Sequence, residues 1–596
     1  MNTTLKVLSA AAALCLASAA AAAPTLVQDV RVFDGERVIE RRSVLFDQGV
    51  IVDANFRGAV PKGTRVVNGA GRTLLPGLID SHTHAFRYLE LPVLFGVTTQ
   101  VDMFTDVAMM KAAKKAMRAG GKHQHADLFS AGTLVTAPNG HGTQFGIAIP
   151  TLSKPEDAQA FVDARIAEGS DFIKIVMETG YGFKSLDLAT TKAVIEAAHK
   201  RGKLAVVHIG NEQDARAVLE AGADGLVHLF PGTSSDAKGL AKLAASKKAF
   251  IIPTFAVLES MAGWRGDDLL ATADFAGLLD KDAQAPLKAS YSASAHPEKL
   301  IAPKAVAAAM VAAGVPVLAG TDAGNPGTQY GVSMHRELKA LVEAGLTPVQ
   351  ALAAATSVPA KAFRLGQRGR IENGYKADLL LVDGNPAADI LATRRIVEVW
   401  KDGESANALR VAQRERVAKA VQPGKQPLAL PADGRISQFS EQRLASPFGM
   451  GWGPSTDGFA GGKSTVALAA GLALTGGEVP LAVEAKVAPG LPFAWAGVAF
   501  MPGAAPMQAV DLSAARLVRF KTRGDGKRYQ VIAMSQGVSI PGAKSFTAGP
   551  EWTEVTVPFS ELKGIDPAAM TMLGFNAGPQ PGDYRFEIAD VRLLAQ

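Results

Sequence analysis

Residues 74–84, LLPGLIDSHTH, end a short apolar run in two histidines, His82 and His84. On a strand, residues i and i+2 project from the same face, so both imidazoles aim at one point. Two nitrogen donors converging at the C-terminal end of a strand suit a divalent metal such as zinc. A His-x-His pair alone also arises on ordinary surfaces. Its weight comes from four further side chains of ligand type. Lys174 sits in DFIKIVMETG, His208 ends KLAVVHIG, His228 ends DGLVHLF, and Asp322 follows the apolar run VPVLAG. Taken singly, each has a plainer explanation. A strand lysine snorkels its amine to the rim, a strand-end histidine is commonly a hydrogen-bonded structural residue, and an aspartate beside glycines caps a helix or forms a turn. Together they are hard to reconcile with separate explanations.

The elements that must position these residues follow from periodicity. Strand candidates at residues 74–79, 97–103, 127–134, 171–177, 203–208, 225–230, 249–254 and 315–320 alternate with helical patterns at 155–168, 188–201, 212–221, 235–246 and 303–314. Such alternation predicts an α/β fold, a (β/α)8 TIM barrel over residues 74–360. An open doubly wound sheet is the rival, but no Gly-x-Gly-x-x-Gly follows the first strand. In a barrel, His82, His84, Lys174, His208, His228 and Asp322 fall at the C-terminal ends of strands, the face where barrel active sites lie.

The flanks differ from the middle. Residues 23–73 and 361–417 carry short strands with Asp-Gly or Asn-Gly turns, and predict one small composite β-sandwich built from both sides of the barrel. Residues 418–433 read as a Pro-punctuated linker. Residues 434–596 hold short alternating β runs and no long helix, which predicts a C-terminal all-β sandwich of jelly-roll type. The run PSTDGFAGGKST resembles a phosphate loop only superficially. Asp457 stands where its first glycine should be and a strand follows, so nucleotide binding is excluded.

The chain has 596 residues, is 48% hydrophobic and 20% charged, and carries a formal charge of +6. Its basic residues are not clustered, which argues against a nucleic-acid partner. Residues 1–22 have the pattern of a cleaved secretory signal, with Lys6 before an apolar run and small residues after it. Cys15, the only cysteine, lies inside that segment with Leu14 before it, so neither a lipid anchor nor disulfide chemistry is expected. No later run is long enough to span a membrane. A periplasmic or secreted protein is the expectation.

Among the other histidines, His141 in the Gly-rich PNGHGTQFG is a candidate for holding a substrate oxygen, against a plain surface loop. His335 opens a helical pattern and fits either role. His123, His125, His199 and His296 fall in helix-end or loop contexts typical of the surface.

With these motifs in place, residues 24–406 resemble the metal-dependent amidohydrolase superfamily, nearest its imidazolonepropionase and prolidase-like branch. The segments that carry the resemblance are LLPGLIDSHTH, DFIKIV, VVHIGNEQDARAVLEAGADGLVH, VLAGTDAG and GRIENGYKADLLLVDGNP. The resemblance implies two divalent metal ions, usually zinc. One would be held by His82, His84 and Asp322 and the other by His208 and His228, with Lys174, carboxylated by carbon dioxide, bridging both. It implies hydrolysis of a C–N bond in a small amide: a dipeptide, an N-acyl amino acid or a cyclic amide. The chemistry agrees, since a carbamate offers two oxygens and a negative charge where a neutral amine is a poor ligand. Asp322 would carry the proton to the leaving nitrogen. Two departures stand out: Phe255 replaces a tyrosine usual after strand 7, and His228 lacks the Glu-His-Gly usual around it.

Residues 434–596 resemble the complex I intermediate-associated protein family, a galactose-binding-like sandwich, on AWAGVAF, DLSAARLVRFKTRGDGKRYQV, AGPEWTEVTVPFSEL and YRFEIADVRLL. That resemblance implies a carbohydrate or protein ligand, or a docking role. Alternatives are a carbamate or phosphoester hydrolase on the same scaffold, and a non-catalytic barrel serving a carbohydrate-binding or assembly module. Homo-oligomerisation stays open.

Overall fold

The apolar run at 74–79 divides in two at Gly77. Arg72–Pro76 pairs with the flanking sheet, and Leu78–Thr83 opens a new parallel sheet, so the region of alternating parallel strands and helices starts after residue 77 rather than at 74. Gly77 allows the crossing because a Cβ there would stand 2.3 Å from Thr98 Oγ1. The computed structural model describes residues 23–595 except 87–88, 120–124, 144–148, 181, 422–427, 441–442, 461, 475–476, 492, 505–506 and 537–540. The signal-like segment with Cys15, His123 and part of the loop after His141 lie outside the described residues.

The middle region holds a three-stranded parallel sheet, Leu78–Thr83, Val97–Asp102 and Asp127–Ser130. A four-stranded one follows, Ile173–Met177, Ala205–Ile209, Gly225–Val227 and Phe250–Ile252. Parallel bridges connect them: Val135 to Ile175, Ile251 to Val317 and Thr83 to Ala323. The expected strand at 315–320 takes this bridging form instead of a regular strand. Pro316 lacks a donor, and Asp322 stands at φ +56°, which breaks the ladder beyond it. Its backbone still engages both neighbours, with Leu318 N donating to Ile251 O at 2.8 Å and Asp322 N to His82 O at 2.8 Å.

The strands are buried on both faces because helices cover the outside. Leu188–Lys200, Glu212–Glu220 and Ala237–Ser246 begin at Asp187, Asn211 and Asp236, whose side chains each accept a backbone N–H. These caps stop the preceding loops early and fix where the strand-end residues stand.

The flanks form one continuous eight-stranded sheet, not the two packed layers expected of a sandwich. Thr25–Phe33, Val38–Asp47, Val50–Asp53, Arg65–Asn68 and Arg72–Pro76 come from one side; Leu379–Asp383, Ile396–Lys401 and Glu404–Ser405 come from the other. Register shifts near Val30, with Asp29 at φ +58° and Arg41 at φ +52°, add twist. The sheet therefore rolls until Ile51 N donates to Tyr375 O at 2.8 Å and Ala377 N to Gly49 O at 2.8 Å. Trp400 and Phe46 pack edge-on inside it.

A second correction concerns residues 407–433. Residues assigned to the sandwich and the start of the linker form a helix, Asn407–Val421. Arg410 donates to Leu94 O at 2.6 Å and Gln413 to Leu278 O at 2.8 Å, which pins that helix to the middle region.

The C-terminal region holds two five-stranded antiparallel sheets. Their facing side chains, Trp452, Phe500, Phe520, Tyr529 and Phe575 among them, form one core separate from that of the middle region. Buried Asp457 accepts from Ser464 N at 3.0 Å and Ser464 Oγ at 2.7 Å, so the glycine-rich run is a structural turn. Among the described residues no helix is long and apolar enough to cross a membrane.

Candidate metal centre

The ends of the parallel strands bring the six expected ligands to one place. His82 lies in Leu78–Thr83 and His84 just beyond it, Lys174 in Ile173–Met177, and His208 in Ala205–Ile209. His228 follows Gly225–Val227, and Asp322 lies in the bridging segment. Asp322 Oδ1 is 3.0 Å from His84 Nε2 and 3.2 Å from His82 Nε2, and its Oδ2 is 4.0 Å from His228 Nδ1. The imidazoles form a row from His84 through His82, His228 and His208 to His141, with centroid separations of 5.3, 4.7, 4.6 and 4.8 Å.

Hydrogen bonding decides which nitrogens are left over. His84 Nδ1 faces the Phe104 carbonyl at 3.3 Å, and a carbonyl only accepts, so Nδ1 carries the proton. His84 Nε2 is then the nitrogen that faces the Asp322 carboxylate, at 3.0 Å. His228 Nδ1 donates to Thr254 Oγ1 at 2.7 Å while that hydroxyl donates to Pro253 O, which leaves His228 Nε2 bare. His82 is fully buried and neither ring nitrogen makes a hydrogen bond. Buried polar atoms without partners cost stability, and several imidazole nitrogens gathered around one carboxylate have the donor chemistry of a divalent-ion site.

The electrostatics point the same way. Burial lowers His82 to about 3 and His208 to about 4, so both are neutral donors near pH 7. At His84 burial also acts downwards, but the bond and charge of Asp322 outweigh it and raise the pKa. Burial lowers Lys174 to about 7 against the carboxylates of Asp322, Glu178 and Asp102, so much of the amine is uncharged at neutral pH. Donor groups close enough for one ion comprise His82, His228 and Asp322, and separately His141, Glu178 and His208. This grouping divides His208 from His228, which the resemblance had placed on one ion. Imidazole nitrogens with one carboxylate in each group fit a divalent ion such as zinc.

Buried carboxylates brace the site. Asp80 accepts from Thr321 N at 3.0 Å, Thr321 Oγ1 at 2.6 Å and His82 N at 3.2 Å, clamping the segments that carry His82 and Asp322. Asp102 accepts from Ala85 N at 2.7 Å and Ser130 Oγ at 2.5 Å, which fixes the turn after His84. Gly320 is required for close approach, since a Cβ would lie 2.9 Å from the His82 backbone nitrogen. His228, Thr254 and Asp322 all adopt left-handed φ, at 69°, 55° and 56°. Such residues cost on the order of 1–3 kcal/mol each and cluster at functional sites.

Comparison with known proteins gives the family. Residues 73–408 match the model of the amidohydrolase family. The chain belongs to the amidohydrolase family. Residues 438–571 match the complex I intermediate-associated protein 30 family. An ochratoxinase of Aspergillus niger is 26% identical over 265 residues, covering 42% of this chain and 49% of that enzyme. The chain thus spans about half the length of that relative. An imidazolonepropionase of Deinococcus radiodurans is 24% identical over 400 residues, 61% of this chain and 92% of that enzyme. A Xaa-Pro dipeptidase structure superposes with a TM-score of 0.51 at 22% identity, covering 64% of this chain and 99% of that one. At that identity the likeness establishes the fold.

Within the amidohydrolase region, sequence reasoning missed Glu178. It receives His141 Nδ1 at 2.8 Å and stands 3.4 Å from His208 Nε2. Burial raises its pKa, but bonds from His141 and His208 outweigh that and hold it low. The signal was present: Glu178 has the same parity as Lys174 along one strand. His335 belongs elsewhere, buried with Nε2 donating to Phe95 O at 3.0 Å and its ring against Phe275. His199 Nε2 and His296 Nδ1 lie on the exposed surface 2.8 Å from Asp224 and 3.1 Å from Glu298, and His125 sits half-buried in a loop. Phe255 is fully buried in the core, so no phenol reaches the site from there. A cavity of about 420 Å³ on the C-terminal sheets contains none of the expected ligands. Its charges pair with each other, Arg523 with Glu587 at 2.9 Å and Arg585 with Glu484 at 3.5 Å.

Proposed function

We propose that the protein is a binuclear metal-dependent hydrolase of small amides such as dipeptides, N-acyl amino acids or cyclic amides. The reading takes the bridged parallel sheets as one closed (β/α)8 barrel with its site at the C-terminal strand ends. The observation that carries it is His82, fully buried beside Asp322 and His228 with both ring nitrogens lacking a hydrogen bond.

In this reading His82, His84, His228, His208 and Asp322 hold two divalent ions, most simply zinc. When bound, such ions polarise a carbonyl and bring the pKa of a water towards neutrality. The chain's own groups do the rest. The uncharged amine of Lys174 would add to carbon dioxide and release one proton, and the resulting carbamate would offer two oxygens and a negative charge as ligands. Asp322 accepts the proton of the attacking water on a carboxylate oxygen and returns it to the leaving nitrogen as the C–N bond breaks. His141, oriented through Nδ1 by Glu178, offers Nε2 to the carbonyl oxygen or carboxylate of the substrate. The C-terminal sheets are assigned an accessory role, with a carbohydrate or protein as ligand. Residues 1–22 are assigned to export into the periplasm, which N-terminal sequencing of the mature protein checks.

The test is metal analysis followed by a screen of dipeptides and N-acyl amino acids. About two ions per chain, loss of turnover on chelation and recovery with zinc or manganese are expected. Lys174→Ala should abolish nearly all turnover with the fold intact, and short carboxylic acids should restore part of it. Metal-free protein with full turnover, or a Lys174→Ala variant near wild type, overturns the mechanism.

A further inference from the structure

A pocket of about 220 Å³ opens beside His84, on the side of the imidazole row opposite His141. Three of its walls are apolar: Phe86, Phe104 and Pro286, with the two phenyl rings packed edge-on at 5.4 Å. Apart from His84 and Gly324, its remaining walls are polar by residue type, yet their side chains are already engaged. Asn325 accepts from Tyr291 OH at 2.6 Å and donates to Asp322 O at 3.0 Å. Gln329 donates to Ala283 O at 2.7 Å and accepts from Tyr330 N at 2.8 Å. Tyr330 OH donates to His84 O, and Thr328 Oγ1 donates within its own turn. Among the described residues the lining contains no Asp, Glu, Lys or Arg.

We propose that this pocket is the specificity subsite for an uncharged aromatic or bulky aliphatic group on one side of the scissile bond. The proposal rests on the amide-hydrolase reading and adds the substrate class to it. Size supports one substituent instead of a whole substrate. Pockets for entire small-molecule ligands run to about 300–1,000 Å³, whereas an apolar cavity of about 150 Å³ already holds benzene. Chemistry disfavours charge at its apolar end, because a carboxylate or ammonium beside the phenylalanines would lose its water and, away from His84, meet walls whose polar groups are spent. Placement fits as well. A substrate centred on His82 and Asp322 would reach the pocket at the His84 end and His141 at the other. The polar end of the substrate therefore faces His141 and Glu178, and the apolar end faces the phenylalanines.

The experiment uses the full-length, metal-loaded protein and amides that differ only in one substituent, varied in turn on each side of the scissile bond. On one side, kcat/KM for a benzyl or isobutyl group should exceed that for methyl by about tenfold or more. It should exceed that for a carboxymethyl or aminobutyl group by roughly a hundredfold or more. Phe86 lies at the rim and is 36% exposed, so Phe86→Ala spares the core. It should cut the benzyl-to-methyl ratio several-fold. Equal rates across the series, preference for a charged group on both sides, or an unchanged ratio in Phe86→Ala would overturn the subsite. Should no amide in the panel turn over, the functional reading fails on its own account. The pocket is then tested by calorimetric binding of phenylacetamide against acetamide. Tighter binding of the aryl amide that Phe86→Ala abolishes supports the pocket, and equal binding overturns it.

Discussion

The strand Asp127–Ser130 meets a buried charged cluster at each end, and the two clusters are built on opposite plans. At its start Asp127 lies among Arg368, Lys376 and Lys401, at 2.7, 3.1 and 3.3 Å. Lys401 also pairs with Asp378 at 3.3 Å and with Asp402 at 2.7 Å, and Lys376 pairs with Asp402. Three carboxylates there face three cations, every charge has an opposite, and the rolled sheet is tied to the barrel region. Burial alone would raise Asp127 and lower Lys401, yet the pairing outweighs it and shifts each the other way. At the far end, Ser130 supports Asp102 beneath His84, and the imidazoles above face the Asp322 carboxylate. A balanced cluster is complete as folded. A cluster of imidazoles around one carboxylate has the donor set of a metal site.

The largest expected effect separates these plans by activity. His82→Gln should lower turnover by more than about 1,000-fold, the scale of losing roughly 4 kcal/mol of transition-state stabilisation. In metal-free protein it should change stability little, because one neutral buried polar side chain replaces another beside Asp322. Turnover assays and unfolding of chelated protein check both halves. A metal-free variant that is strongly destabilised would show that His82 serves the fold.

Lys401→Met should do the reverse. It strands buried Asp378, while Asp127 keeps Arg368 and Lys376; removing one partner of a buried pair costs about 3–5 kcal/mol. Metal content and turnover of the folded fraction should stay near wild type. Loss of metal without loss of stability would dissolve the distinction between the two ends.

This contrast also explains what the sequence could reveal. The ligands were legible because each interrupts or ends an apolar strand, a place where His82, His208, His228 or Asp322 needs a reason. Glu178 escaped because it stands one residue past its strand, in METG, where a glutamate is unremarkable. Asp127 and Lys401 were illegible for another reason: their meaning lies in mutual distance across 274 positions of chain, and no local pattern encodes it. The helix Asn407–Val421 was hidden by the proline-rich run after it, and the strand Gly542–Thr547 by its lack of alternation. The flanks read correctly as β but not as one sheet, since rolling depends on register shifts invisible in composition.

A smaller effect tests whether burial alone marks a ligand. Burial lowers His335 to about 3, as it does His82, yet His335 has a hydrogen-bond partner and lies outside the row of donors. With an unfolded value near 6.5, the unfolded chain binds the extra proton between about pH 6.5 and 3. Stability from His335 is therefore full above about pH 6.5 and is lost as pH falls towards 3, at about 1.4 kcal/mol per unit. His335→Gln can still donate to Phe95 O and should flatten that slope relative to wild type, by about 2 kcal/mol at pH 5. Denaturant unfolding of both proteins at pH 5 and 7 measures the difference, and metal content should not change. An unaltered slope would mean that His335 is solvated more freely than its burial indicates.

The smallest effect concerns the C-terminal sheets. Their polar contacts with the barrel region include Lys281 with Asp566 and Gln536 Nε2 with Asp282 Oδ2 at 3.4 Å, on exposed side chains. Exposed pairs of this kind contribute about 0–1 kcal/mol, and the two regions have separate cores. Lys281→Ala should therefore shift stability by no more than about 1 kcal/mol. Truncation after Pro423 should leave a folded, metal-loaded protein able to hydrolyse small amides. The cut must fall beyond the helix Asn407–Val421, because removing Arg410 and Gln413 would leave the Leu94 and Leu278 carbonyls without their donors. Helix Lys281–Lys288 supplies both the contact with Asp566 and, through Pro286, a wall of the pocket beside His84. If truncation raises KM for aryl amides and spares metal content, the sheets act through that helix. If truncation strips the metal or unfolds the protein, the C-terminal sheets are part of the catalytic unit.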